Sequence, residues 1–150
     1  MVFAAFCVSC SRANVKEAVR VTDLTGGWYD GGIVNGKNRL LPGLSFRLES
    51  ATDEQVGPLA LNILFKQLVN GAEQEWEDVY LQRVEFSEGN RTKLLTVRAP
   101  NGYTGDPPQS RADMLQNSQF VDARAIIFAR QGSTWIELAR YDLPRTVINQ

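Results

Sequence analysis

Histidine is absent from the 150 residues. That removes the commonest general base and the commonest catalytic zinc ligand, and it excludes a Ser-His-Asp or Cys-His centre. Carboxylates, two thiols and a few aromatic side chains are what remains for chemistry. The thiols are Cys7 and Cys10, a C-x-x-C pair within M-V-F-A-A-F-C-V-S-C. A redox pair of that spacing belongs between a strand and a helix of a βαβ unit, and no such pattern surrounds this one. Acids crowd at Glu73, Glu75, Glu77 and Asp78. A hydrolase needs two converging acids whose pKa values are pushed apart. These four read instead as a charged strand edge, which opposes edge-to-edge pairing. Asp23, Asp30 and Asn35 match no calcium-loop spacing. No metal and no cofactor is expected, and no glycine-rich stretch has phosphate-binding spacing.

Aromatic chemistry concentrates at Trp28-Tyr29, set between Gly26-Gly27 and Gly31-Gly32. As a platform for stacking a sugar or a peptide, Trp28 and Tyr29 are candidate partner-binding residues. Used with Trp76 they support the alternative function, a carboxylate-based hydrolase or a carbohydrate-binding module. The competing reading makes both residues a cap on one end of the core, with the glycines forming turns and a bulge. Tyr103, held among glycines and prolines, and Arg111, eight residues later, are the other partner-binding candidates, because Tyr and Arg are favoured at binding hot spots.

The elements that must position these residues are strands. From Phe120 to Leu143 two apolar runs flank Gln131-Gly132-Ser133, the pattern of a hairpin. Val121, Ala123, Ala125, Ile127 and Ala129 share one face of the first run, as period two requires. Leu59, Leu61, Ile63 and Phe65 alternate in the same way, and Asn70-Gly71 then leads as a hairpin turn into a strand from Trp76 to Val84. Leu44, Phe46 and Leu48 mark another strand, with Leu41-Pro42-Gly43 read as the turn before it. Glu17 to Leu24 reads as the first strand, broken by Thr25-Gly26-Gly27. Thr92 to Arg98 is a further strand. The long connection from Ala99 to Gln119 holds one short helix, Arg111 to Gln116, with Ser110 as N-cap and Asp113 completing a capping box. Met114 and Leu115 are placed to plug the core beneath it. Long connections of this kind are often functional, so this end of the domain is the expected partner surface.

Net charge is −1 and no basic block occurs, so nucleic acid is not an expected partner. No run approaches the roughly 18 apolar residues that span a bilayer. The apolar run ending in Cys7-Val8-Ser9-Cys10, followed by Ser11-Arg12, resembles the end of a bacterial secretion signal and, more narrowly, the lipobox of bacterial lipoproteins. The resemblance implies cleavage before Cys10 and lipidation of Cys10. Val8 and Ser9 suit their positions, whereas Cys7 stands where Leu is usual. The basic n-region is missing and the apolar stretch is short, as a start codon assigned too far downstream would leave them. Residues 1–16 are thus a signal-like segment with a tether, and residues 17–150 a single domain.

Seven or eight strands separated by turns, one short helix and no βαβ alternation indicate an all-β, antiparallel, immunoglobulin-like β-sandwich. The stretch from Leu44 to Lys66, a strand, a polar turn and a long strand ending in Leu64-Phe65-Lys66, resembles the FxLYD-type immunoglobulin-like domains of bacterial envelope proteins. The eponymous Phe-x-Leu-Tyr-Asp is absent. That resemblance implies a non-catalytic role. The expectation is an exported, lipid-anchored binding or assembly module of the bacterial cell envelope, whose partners are the membrane through Cys10 and an envelope protein or polymer.

Overall fold

Three hairpins carry the architecture, and each turn is written in local chemistry. Asn35-Gly36 and Asn70-Gly71 both place their two central residues at positive φ (53° and 75°, 50° and 79°), the I′ geometry that matches strand twist. Gly132, at φ 61°, precedes Ser133 in the third turn, so glycine takes the one left-handed position of a II′ turn. The structure is a computed structural model and describes residues 14–105 and 109–149.

Among the described residues the chain order is α1 (Val15–Ala18), β1 (Val19–Val34), β2 (Lys37–Ser50), β3 (Leu59–Val69), β4 (Ala72–Val84), β5 (Leu95–Arg98), β6 (Tyr103–Gly105), α2 (Arg111–Gln116), β7 (Ala123–Gln131), β8 (Thr134–Asp142) and β9 (Val147–Ile148). One sheet has the order β5-β2-β1-β9, with β6 also paired to β2. The other has the order β4-β3-β7-β8. Every pairing is antiparallel except the short one between β1 and β9. Immunoglobulin-like sandwiches order their sheets A-B-E and C′-C-F-G. Here β1, β2 and β5 take the first order and β4, β3, β7 and β8 the second. The fold is an all-β sandwich of that type, with nine strands among the described residues where the sequence suggests seven or eight, and two short helices where it suggests one.

The core lies between the layers. Leu44, Phe46 and Leu48 of β2, Leu61, Ile63 and Phe65 of β3, and Ala123, Ala125, Ile127 and Ala129 of β7 belong to one buried cluster. The alternation that set these faces in the sequence is therefore the alternation that packs them. The alanines of β7 supply little volume, and the fully buried Trp28, Phe46 and Phe65 fill the layer. Burying each such ring is worth about 1.5–3 kcal/mol.

Two expected chain breaks are not breaks. Thr25-Gly26-Gly27 lies inside β1 and Leu41-Pro42-Gly43 lies inside β2. The glycines are there for close approach. A Cβ on Gly27 would stand 2.7 Å from the Thr146 carbonyl oxygen, and one on Gly43 would stand 2.5 Å from the Tyr29 ring. Pro42 survives in a central strand because β6 pairs with Asn38–Leu40 and β5 with Gly43–Phe46, which leaves a gap between them. The Pro42 carbonyl accepts from the Ala99 N–H at 2.9 Å, so its donorless nitrogen faces the same gap. At the N-terminal side, α1 precedes the strand expected from Glu17. Its Val15 is buried in the core, so the packed domain reaches back across the boundary expected at residue 16.

Candidate functional site

The two ends of the sandwich differ. One end holds α1, the 51–58 connection and the β7–β8 turn, tied together where the Val15 N–H donates to Gln131 Oε1 at 3.3 Å. The other holds the β1–β2 and β3–β4 turns and the 99–122 connection. All four residues proposed from sequence for partner binding lie toward this far end, and the structure gives three of them internal work.

Trp28 is fully buried, ringed by Phe120 at 4.8 Å, Tyr103 at 5.4 Å and Trp76 at 6.2 Å between centroids. Tyr29 points to the opposite face of β1 and is also buried, with the Arg98 guanidinium 4.2 Å above its ring. Neither ring is a surface platform. Trp76 is half-buried in the same cluster as Trp28. Tyr103 stacks on Phe120 at 4.6 Å, and its hydroxyl both donates to the Val121 carbonyl and accepts from the Val121 N–H, each at 2.8 Å. Burial pushes the Tyr103 phenol up, against the opposing pull of the Val121 hydrogen bond. Tyr103 is thus the pin between β6 and the start of β7.

The short helix forms where expected. Ser110 accepts from the Asp113 N–H at 3.2 Å, and the Asp113 carboxylate accepts from the Ser110 N–H at 3.3 Å. Met114 and Leu115 are buried beneath it. Arg111 extends from its first turn to pair with Asp30 on β1, Nε to Oδ1 at 2.5 Å. Beyond that pair the β1–β2 hairpin runs on to a tip where Ile33 is 66% exposed and Val34 41%. A cavity of about 230 Å³ opens beside the helix, and the described residues that line it, Tyr103, Thr104, Gln109, Met114, Asn117, Gln119 and Phe120, are uncharged. The apolar tip is hidden in the sequence because the surrounding glycines read as turns and bulges. The signal available was Asn35-Gly36 with two β-branched residues just before it.

The acids do not converge. Glu73 sits among three cations, accepting from Lys66 Nζ at 3.0 Å, Arg124 Nη1 at 2.6 Å and Arg140 Nη1 at 3.2 Å. Lys66 first and Arg124 second hold its carboxyl below the usual range. Arg124 also holds the Asp142 carboxyl down. Glu73 is exposed on the edge strand β4, as expected, and is also the centre of an ion-pair network on the outer face of the second sheet. Glu77 accepts from Asn101 Nδ2 at 2.9 Å. Asp23 pairs with Arg47 at 3.4 Å. Among the described residues no cluster of three acidic or thiol ligands is placed to hold a metal ion.

The depressed carboxyl of Glu73 makes a signed prediction. A group whose pKa is lower folded than unfolded contributes stability above its unfolded pKa, near 4.3 for Glu, and loses it as pH falls through the folded value. Glu73→Gln should therefore melt below the wild type at neutral pH, with the gap closing as pH drops from about 5 towards 3. Thermal melts across that range check it. A gap that is constant with pH would mean the network carries no linkage.

Cys7 and Cys10, with the lipobox-like stretch, lie outside the described residues. Among the described residues no helix is long and apolar enough to cross a membrane. No protein-family model matches the chain, and neither curated proteins nor solved structures give a match.

Proposed function

We propose that this chain is an exported, lipid-anchored, non-catalytic binding module of the bacterial cell envelope, held to the membrane through Cys10 and presenting the far end of its sandwich to an envelope protein or polymer. The observation that carries the reading is the polarity of the domain. The chain enters at Asn14 beside the β7–β8 turn, while Ile33, Val34 and the α2 connection lie at the other end of β1. Sixteen residues of strand at about 3.3 Å each separate the two by roughly 50 Å. An anchor at one end and an exposed apolar tip at the other suit a module that reaches away from a surface. The lipobox-like Cys7-Val8-Ser9-Cys10 supports the anchor, and the likeness of Leu44–Lys66 to FxLYD-type domains supports the non-catalytic role. The acids that shift are pulled down by cations, whereas an acid catalyst of the alternative hydrolase would need one pushed up.

One experiment tests both halves. The chain is expressed with its native upstream sequence, and the wild type is compared with Cys10→Ser and with the double variant Ile33→Ser/Val34→Ser. Cys10→Ser should leave the membrane fraction and lose the mass of the lipid. The tip variant should stay membrane-bound, melt with the wild type and lose in-cell cross-links to its partner. Membrane retention and an unchanged lipid-free mass in Cys10→Ser would defeat the anchor. Cross-links unaffected by the tip variant would defeat the far-end surface.

A further inference from the structure

The exposed large apolar side chains of the described residues are Ile33, Val34, Tyr80, Leu94 and Trp135. Two of them meet. Tyr80 of β4 and Trp135 of β8 come together at 6.0 Å between ring centroids, edge to face, although two strands separate their own. Both remain open, Tyr80 at 51% and Trp135 at 39%. Phe128, half-buried, lies on the same outer face, paired with Asn62 on one side and Glu137 on the other, and Asn62 is in turn the partner of Tyr80. The patch belongs to the anchor end. Trp135 follows Thr134, the cross-strand partner of Gln131, and Gln131 is the residue that takes the Val15 N–H.

We infer that the Tyr80–Trp135 patch rests on the lipid surface, with its rings in the interfacial region of the bilayer. This rests on the anchor reading above. Ser11, Arg12 and Ala13 are the residues between Cys10 and Asn14. Four residue steps of at most about 3.5 Å reach only about 14 Å. An acylated Cys10 therefore holds Asn14, at the end of the sandwich that bears Trp135, within that distance of the headgroups. Trp and Tyr, each an apolar ring with one polar hydrogen, are the side chains that favour this layer. The occupant is set by the tether and not by charge. The nearby Arg83 is paired with Glu85 at 2.8 Å and Arg20 with Glu49 at 3.5 Å, while the exposed Arg130, cross-strand partner of Trp135, donates to the Gly132 carbonyl and adds one cation beside the rings. Trp28 and Trp76 sit in the aromatic cluster of the far half, out of reach of the bilayer.

The test is tryptophan quenching by brominated phosphatidylcholine in vesicles carrying the lipidated full chain. The wild type should be quenched, Trp135→Phe should lose most of that quenching with an unchanged melting temperature, and neutral and anionic vesicles should behave alike. A second arm couples Cys10 of a Cys7→Ser chain to a maleimide lipid in the same vesicles, which supplies the anchor whatever the cell does. Quenching of Trp135 in this arm, with no natural lipid on Cys10, would sink the anchor reading while sustaining the geometry. Equal quenching of wild type and Trp135→Phe in both arms would overturn the inference and leave the anchor standing. Trp135 accessible to acrylamide in bound protein would also overturn it, and would turn the patch outward for a protein or a second copy of this chain.

Discussion

Trp28→Ala should be the most destabilising single truncation in this protein. The side chain is fully buried, and Phe120, Tyr103 and Trp76 pack around it from three other elements of the fold. Deleting a buried Trp typically costs about 3–5 kcal/mol, because the transfer energy is lost and a cavity is left. For a domain of this size each kcal/mol is about 2–4 °C, so a fall in Tm of about 6–20 °C is expected. A second variant separates packing from polarity. Trp28 Nε1 is buried without a hydrogen-bond partner among the described residues. An unmade bond of that kind costs about 1–3 kcal/mol, and Trp28→Phe removes it while keeping a ring in the cluster. Trp28→Phe should therefore lose less than half of what Trp28→Ala loses. Urea titrations with an unchanged m-value would read this as stability alone. Equal losses in the two variants would mean that the indole N–H has a partner or that the ring contacts carry little.

The parts of this fold legible in the sequence are those whose cause is local. Asn70-Gly71 and Gly132-Ser133 are hairpin tips because only certain residues take positive φ there, and nothing distant has to agree. Ser110 and Asp113 close a capping box within four residues. The faces of β2, β3 and β7 follow from period two alone. The errors arise where distant chain decides. Gly26-Gly27 carries the local chemistry of a break, yet the Thr146 carbonyl and the side chains of Tyr141 and Leu143 crossing over β1 make glycine a requirement inside a strand. Pro42 likewise reads as a turn until the gap between β5 and β6 is known. The two-residue β9 and three-residue β6 are too short to show a period at all. For the candidate site the same division holds. The 99–119 connection was recognisable by its length and its helix. That Tyr103 pins Val121, and that Arg111 reaches Asp30 across 81 positions, depends on how the sheets stack.

Gly102→Ala should be the most damaging change at the far end that removes no contact. An added Cβ would stand 1.9 Å from the Leu40 carbonyl oxygen and 3.0 Å from the Leu41 Cα. Both belong to the backbone of β2, which is fixed on its other edge by β1. Neither can yield as a flexible side chain would, so the strain falls on β6. Its first residue is Tyr103, paired with Leu40, and displacing it draws the ring from Phe120 and Trp28 and breaks the two hydrogen bonds to Val121. Overpacking alone costs about 1–3 kcal/mol. The loss of those hydrogen bonds adds about 1–3 kcal/mol more, because the Val121 groups are left unsatisfied. Gly105→Ala is the control on the same strand. The three atoms nearest its Cβ would all belong to Met114, with the sulfur at 2.9 Å, and a thioether end can swing aside. Gly102→Ala should therefore melt several degrees below Gly105→Ala and shift the near-ultraviolet dichroism of the aromatic cluster, which Gly105→Ala should leave in place. If both variants melt together with unchanged aromatic signals, β6 is not seated against β2 at Leu40. The far end would then be built on a loose strand instead of a pinned one.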